Sequence, residues 1–328
     1  MNYFDFVITG GSGFIGSSMV WTILKKNPSF QILIIDNNKR GNNISLLLDN
    51  FPENIVYRNE NVQDLQPICY KDMTVKYFIH LAAYAYVGEG EIDREMYISE
   101  NILSLSRAID IAKITKAKRF IFSSTCAVYG EKNETLTEEL LPVPTSIYGI
   151  SKLVCEKLLK QSDIWDRTTI FRFFNVAGSL WDAPVGERHN PETHLIPLIF
   201  KKIAIGEVME IFGNDYATKD GTCEREYVHV KDIINAHFLA INNPTSKSKV
   251  YNLGTNEPIS NYDIYNKIKE KLRIGGKVHF KSRREGDMAK LISSYTKIKN
   301  ELNWQPCHSN IDLILNDYHY WFKINAQS

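Results

Sequence analysis

The sequence predicts an α/β fold: a doubly wound parallel sheet with a smaller mixed α/β C-terminal domain. Three observations carry this expectation. Short, near-continuous apolar runs alternate with helical stretches through the first half of the chain. A glycine-rich turn separates the first run from the first helix, and the alternation breaks after about Phe174. Strands that are apolar along their whole length are buried on both faces, as in a parallel sheet covered by crossover helices.

Phe4 to Thr9 is a compact β-rich run, and a helical pattern extends from Phe14 to about Lys25. Gln31 to Asp36 reads as the second buried strand. Asn54 to Arg58, Tyr77 to Leu81, Arg119 to Ser124 and Thr168 to Phe174 continue the series. Tyr97 to Lys113 and Ile147 to Lys160 read as helices between them. This succession is the Rossmann-type arrangement. Gly178 to His194 is polar and rich in loop-formers, and beyond it helices and short strands mix irregularly. The first domain is therefore placed at 1–174, with a return of about 228–253, and the second at 175–328.

Lys plus Arg number 39 against 38 Asp plus Glu in 328 residues, so no basic excess points to nucleic acid. Any bound anion must be held by local geometry. Hydrophobic residues make up 44% and charged residues 23%, a balance usual for soluble globular proteins. No apolar run approaches the ~20 residues that span a bilayer, and Met1 to Gly10 has neither a basic start nor a cleavage site. Cys69, Cys126, Cys155, Cys223 and Cys307 are scattered and form no C-x-x-C pair. Reduced thiols in the cytoplasm, without structural zinc, are expected.

Gly10-Gly11-Ser12-Gly13-Phe14-Ile15-Gly16 lies between the first strand and the first helix. Glycine is needed where backbone turns sharply and approaches a pyrophosphate with no side chain between. The helix N-terminus beyond it offers free N–H groups and a positive dipole end. Asp36 follows the second strand, 20 residues after Gly16. An acid there accepts from a ribose diol and repels a 2′-phosphate, favouring NAD over NADP. A strand-end Asp also caps loops, but the strand–loop–helix context favours the dinucleotide.

Tyr148 and Lys152 stand at i and i+4, with Thr145 or Ser146 as N-cap after Pro144, so both lie on one helical face. A tyrosine of pKa ~10 is a poor base at neutral pH. A neighbouring ammonium and a nicotinamide cation would favour its phenolate. A Tyr–Lys pair alone is also a common surface feature. It gains weight from Ser123-Ser124-Thr125 at a strand end, where a hydroxyl can meet a substrate oxygen beside Tyr148.

In this order and spacing, Gly10, Gly13, Gly16, Asp36, Ser123-Ser124-Thr125, Tyr148 and Lys152 resemble the extended short-chain dehydrogenase/reductases. Phe174 to Gly178, Ile211 to Tyr216, Asp220 to Thr222, Arg225 to Val230, Tyr251 to Gly254 and Arg283 to Asp287 narrow the resemblance to UDP-glucose 4-epimerases. Together these segments cover nearly the whole chain.

The resemblance implies that Tyr148 removes the proton of a sugar 4-hydroxyl while hydride passes from C4 to tightly held NAD. Thr125 assists that hydroxyl, and Lys152 binds the nicotinamide ribose and tunes Tyr148. The 4-keto sugar then turns over and is reduced on its other face. The cofactor-binding set implied is Gly10, Gly13, Phe14, Ile15, Gly16, Asp36, Asn37, Asn61, Val62, Leu81, Ala82, Ala83, Asn101, Ser123, Tyr148, Lys152 and Phe174. Asn61 and Val62 flank the adenine, and Asn101 lies near the phosphates. The UDP-sugar is implied to meet Thr125, Tyr148, Asn175, His194, Leu195, Phe212, Arg225, Arg284, Asp287 and Leu291. The arginines take phosphate, Asp287 takes ribose and Phe212 lies near the uracil. Tyr97 to Lys113 and Ile147 to Lys160 would supply a homodimer interface, unless their apolar faces only pack on the sheet.

Some positions depart from the resemblance. Asn61 stands where many relatives carry Asp, and Thr125 replaces Ser but keeps the hydroxyl. His194, Asn in some relatives, is expected to be a structural hydrogen-bonder with no metal partner. Leu291 replaces a bulky Tyr, and Ala85 a Lys. The smaller side chains imply room for a 2-acetamido group, hence UDP-GlcNAc and UDP-GalNAc as substrates. A 4,6-dehydratase needs an acid and a base where Cys126 and Ala127 stand, and a decarboxylase is similarly disfavoured. UDP-pentose or UDP-uronate epimerisation stays open. A silent NAD(H) sensor ranks below an enzyme, because Thr125, Tyr148 and Lys152 are all present.

Overall fold

The computed structural model describes all residues except 1, 42, 133, 190, 244–248, 285–286 and 326–328. Its frame is a seven-stranded sheet. Strands β1 (Tyr3–Thr9), β2 (Ile32–Ile35), β3 (Ile55–Arg58), β4 (Thr74–His80), β5 (Arg119–Thr125) and β6 (Thr168–Phe173) come from the first half. Three short strands, β7 (Asn175–Ala177), β8 (Val208–Phe212) and β9 (Glu224–Arg225), precede β10 (Tyr227–His229) and β11 (Lys249–Leu253). The last three are β12 (Ile259–Ser260), β13 (Lys277–Lys281) and β14 (Lys290–Leu291). The large sheet runs β11-β6-β5-β4-β1-β2-β3, with every neighbour pair parallel.

The apolar runs dictate this arrangement. Ile32, Leu33, Ile34 and Ile35 are all fully buried, because neither face of β2 meets solvent. One core, with Ile8, Ile34 and Phe171, lies on one side of the sheet. A second, with Val7, Leu33 and Phe120, lies on the other. β4 begins at Thr74, three residues before the expected Tyr77, because Tyr3 and Phe4 of β1 offer partners to Thr74 and Val75.

The helices are α1 (Phe14–Lys26), α2 (Ile44–Asn50), α3 (Val87–Ile92), α4 (Arg94–Tyr97), α5 (Ser104–Ile114) and α6 (Ile147–Lys160). They are followed by α7 (Leu195–Ala204), α8 (Val230–Asn242), α9 (Asn261–Leu272), α10 (Thr296–Leu302) and α11 (Ile311–Asn325). The expected continuous helix from Tyr97 to Lys113 is interrupted: Ile98–Leu103 is a π-helical turn. Within it, Asn101 is 1% exposed and donates through Nδ2 to the Tyr84 carbonyl (3.1 Å) and Ser151 Oγ (2.9 Å). A widened turn of this kind turns an extra side chain inward.

The residues after Phe174 build a separate core around Ile199, Phe200, Ile211, Ile264 and Trp321. β11 nevertheless lies beside β6 in the large sheet, and α8 packs on α1. Strand order reverses between β1 and β4, so the loops after these two strands open a crevice at the carboxyl edge. That reversal is where open α/β sheets bind their ligands.

Candidate active site

The loop after β1 is shaped to receive an anion. Gly10 has φ +74°, and a Cβ there would lie 2.7 Å from the Ala82 backbone nitrogen. At Gly16 a Cβ would meet the Gly10 carbonyl oxygen at 2.2 Å. Only glycine allows the loop, the helix and the segment after β4 to come this close. Gly13 caps α1 without any side chain, and no acid stands in the first turn, so the leading amides keep their donors. Phe14 is buried in the core and Ile15 packs against it; what they turn towards the loop is backbone.

Asp36 closes the crevice. Its Oδ2 accepts from the Ser12 amide (3.0 Å) and its Oδ1 from the Asn38 amide (2.7 Å). Asn37 Nδ2 donates to Asn61 Oδ1 at 3.0 Å, and Asn61 donates to Asp64 at 2.8 Å. Gly10, Gly13, Asp36, Asn37, Val62, Leu81, Ala82 and Ala83 line one cleft, together with Arg40, Gly41, Tyr84, Glu100 and His189. The last five were not legible from motif spacing. Arg40 stacks over Tyr84 at 4.5 Å and pairs with Glu89, so its charge is taken up beside Asp36. The narrow glycine turn, the uncapped helix and the acid at the ribose end fit NAD.

Asn101, in contrast, does not line this cleft. All its amide atoms are engaged, with Oδ1 accepting from the Tyr84 amide at 2.8 Å. It ties the segment after β4 to α6. Phe174 is buried 4% exposed, with its amide on the Leu253 carbonyl.

Tyr148 and Lys152 sit on one face of α6, whose N-cap Ser146 accepts from the Gly149 amide. The Thr125 side chain lies near enough to Tyr148 to counter part of the rise that burial imposes on the phenol, and Thr125 Oγ1 accepts from the Ala127 amide at 3.1 Å. Lys152 Nζ donates to the Ser123 carbonyl at 2.8 Å and lies over the Phe122 ring. Ser123 Oγ in turn donates to the His80 carbonyl at 3.1 Å. Burial pushes Lys152 down to about 8 and Tyr148 well above the usual tyrosine range, Thr125 opposing the latter. His80, 1% exposed and 2.7 Å from Thr9 Oγ1, is pushed down to about 3 by burial and stays neutral.

Two residues that the sequence reading missed hold this cluster in place. Glu156, one turn beyond Lys152, binds Arg172 of β6 at 2.9 and 2.7 Å and accepts from Ser124 Oγ at 2.6 Å. Both ions are nearly inaccessible, 1% and 3% exposed. The signal was a carboxylate on the same helical face as Tyr148 and Lys152. Directly after Thr125, the half-buried Cys126 thiol is pushed up to about 12, desolvation being the largest cause, and Ala127 has no titratable group. Neither can exchange protons at neutral pH.

The residues expected around the nucleotide form two pairs. Arg225 Nη1 donates to the Glu224 (2.9 Å) and Met288 (2.7 Å) carbonyls, with Nη2 3.6 Å from Asp287 Oδ1. Arg284 stacks on Phe212 at 3.7 Å. Asp287 opens into a second cavity of about 510 Å³ lined also by Tyr216, Arg283 and Lys132. Glu285 and Gly286 of this motif lie outside the described residues. Asn175 donates to the Glu226 carbonyl at 2.9 Å. Leu291 pairs in register with Arg225 and leans on the first core. Leu195 opens α7. His194, expected to be a structural hydrogen-bonder, bonds Glu187 through Nδ1 and lies in one cluster with His189 and Glu192. The loop folds back on itself here, which spacing alone did not convey.

The family model for the NAD dependent epimerase/dehydratase family matches residues 6–254. The chain belongs to this family. A UDP-glucose 4-epimerase of Lactobacillus helveticus is 34% identical over 97% of this chain and 96% of its own length. The solved UDP-glucose 4-epimerase of Bifidobacterium longum, in complex with NAD+ and UDP, is 27% identical with a TM-score of 0.89 over 98% of both chains. The UDP-Glc/GlcNAc 4-epimerase of Campylobacter jejuni is 31% identical with a TM-score of 0.81, covering 99% of this chain and 100% of that one. As a member of this family, the protein uses NAD.

Proposed function

We propose that this epimerase inverts the 4-hydroxyl of a UDP-hexose through a transient 4-keto sugar, interconverting UDP-glucose and UDP-galactose. The observation that carries the reading is the convergence of Thr125, at the end of β5, with Tyr148 and Lys152 on α6 at the carboxyl edge of the sheet, where the glycine-lined cleft also opens. NAD bound along the cleft supplies the reversible two-electron exchange that turns a C4 alcohol into a ketone and back.

The chain's own residues handle the proton and the geometry. Tyr148 takes the proton of the 4-hydroxyl and returns it, with Thr125 holding the same oxygen. Burial alone disfavours the phenolate, so positive charge must reach Tyr148. Lys152 spends one donor on Ser123 and keeps two for a ribose and the phenol. Cys126 and Ala127 confine the proton traffic to the 4-oxygen, which argues for epimerisation over elimination. Arg225 and Arg284 hold the diphosphate and Asp287 the ribose, so that the sugar can present either face while its anchor stays fixed.

UDP-GlcNAc and UDP-GalNAc are substrates too in this reading, because Leu291 stands where a bulky Tyr would crowd a 2-acetamido group. The protein acts as a homodimer: Ile98, Leu103, Ile150 and Leu158, all more than a third exposed, give the π turn and α6 an apolar outer face. It works in the cytoplasm, consistent with five free thiols and no helix long and apolar enough to cross a membrane among the described residues. The test is incubation of the purified protein and NAD with UDP-galactose and UDP-GalNAc side by side. Turnover of both is expected; turnover of neither would overturn the reading.

A further inference from the structure

One cluster lies outside the Thr125–Tyr148–Lys152 centre, although the resemblance places one of its members, His194, beside the UDP-sugar. Glu187, His189, Glu192 and His194 each offer one ligand atom, and all four atoms lie within 4.8 Å of one another. His189 Nδ1 is 3.3 Å from Glu187 Oε1 and 3.7 Å from Glu192 Oε1. His194 Nδ1 meets the same Glu187 oxygen. The two rings stand 4.9 Å apart and cross at 88°, so both turn a nitrogen to one carboxylate instead of stacking.

Two further features separate this cluster from a solvated group of charges. Glu187 is 3% exposed, and its ion pairs are with these two histidines. His189 Nδ1 is buried without a hydrogen-bond partner, although two carboxylates surround it. Glu192 Oε1 is fixed by the Thr193 and His194 amides at 2.8 and 2.9 Å, the kind of outer support that orients a metal ligand. Tetrahedral zinc with bonds of ~2.0–2.1 Å places neighbouring donors ~3.4 Å apart, close to the two separations of His189.

We propose that Glu187, His189, Glu192 and His194 form a divalent transition-metal site, suited to zinc, that staples the loop before α7. Two imidazoles with two carboxylates are borderline ligands, which favour zinc over magnesium or calcium. The loop matters because it walls the cofactor cleft. Gly186 O accepts from Asn43 Nδ2 at 2.9 Å, the Asn43 amide donates to the Ser12 carbonyl at 3.2 Å, and His189 lines the cleft with Gly10 and Asp36. A metal at this point holds the wall shut and slows NAD release.

The test uses the untagged full-length chain, stripped with a chelator and titrated with Co2+ and then Zn2+ alone. One Co2+ per chain is expected, with the visible absorption of a four-coordinate ion, displaced by one Zn2+. The His189→Gln/His194→Gln variant is expected to bind Zn2+ at least 100-fold more weakly. NAD is expected to leave the stripped wild-type chain several-fold faster than the zinc-loaded one. Absence of the cobalt spectrum in wild type, which needs no variant to fold, overturns the site. Equal zinc affinity in wild type and variant does the same, and an NAD off-rate indifferent to zinc overturns the staple. None of these readouts involves sugar turnover, so this proposal and the epimerase reading fail separately.

Discussion

Lys152 Nζ donates to the backbone carbonyl of Ser123 at 2.8 Å, drawing a 2% exposed ammonium onto the end of β5. Among the described residues no carboxylate forms an ion pair with it, and desolvation brings it down to about 8. Between that value and its unfolded value of ~10.4, the unfolded chain binds the extra proton. Folding stability therefore rises with pH across this window, and the destabilisation is fully present below about 8. Lys152→Met is predicted to raise ligand-free stability at pH 7 by ~1–3 kcal/mol while abolishing turnover. Denaturant midpoints at pH 7 and pH 10 check this; the gain should shrink at the higher pH.

Tyr148→Phe keeps the ring against Tyr97 and removes only the hydroxyl. kcat is predicted to fall ~10²–10⁴-fold, with NAD affinity within a few-fold of wild type. Steady-state kinetics and a fluorescence titration of NAD separate the two effects.

Glu156→Gln leaves the Arg172 guanidinium buried against half a partner. A loss of ~3–5 kcal/mol is predicted, read as a lower urea midpoint. Replacing both ions with methionine is predicted to be much milder than either single change, which the double-mutant cycle will show.

Gly16→Ala places a Cβ 2.2 Å from the Gly10 carbonyl oxygen, a backbone contact that no rotamer relieves. Loss of NAD binding and a lower melting temperature are predicted, measured by calorimetry with and without NAD. Asp36→Ala removes the acceptor for the Ser12 and Asn38 amides. NAD should weaken ~10-fold or more while NADP weakens less.

The strands and the glycine loop were legible because their signals are local. Ile32 to Ile35 must be buried on both faces, and Gly10 and Gly16 must lack side chains wherever such a loop forms. The π turn at Ile98–Leu103 was not legible: an Asn in an apolar helix reveals nothing of the Tyr84 backbone it will reach. Arg40 and Glu100 reach the cleft only through the crossover. The Glu187–His194 cluster was hidden for a related reason, since residues two to seven apart in a loop converge only when the loop's path is known.

Leu291→Tyr refills the position beside Arg225. UDP-GalNAc turnover is predicted to fall ~10–200-fold while UDP-galactose turnover holds within a few-fold. Equal effects on both sugars would sink the pocket argument.

The central claim is that C4 loses and regains its own hydrogen within one active site. Incubating the enzyme and NAD with UDP-galactose deuterated at C4, in ordinary water, tests this most directly. UDP-glucose is predicted to keep its C4 deuterium, and Tyr148→Phe to form it ~10²–10⁴-fold more slowly. Deuterium washed out into solvent, or no UDP-glucose from the wild-type protein, would contradict it.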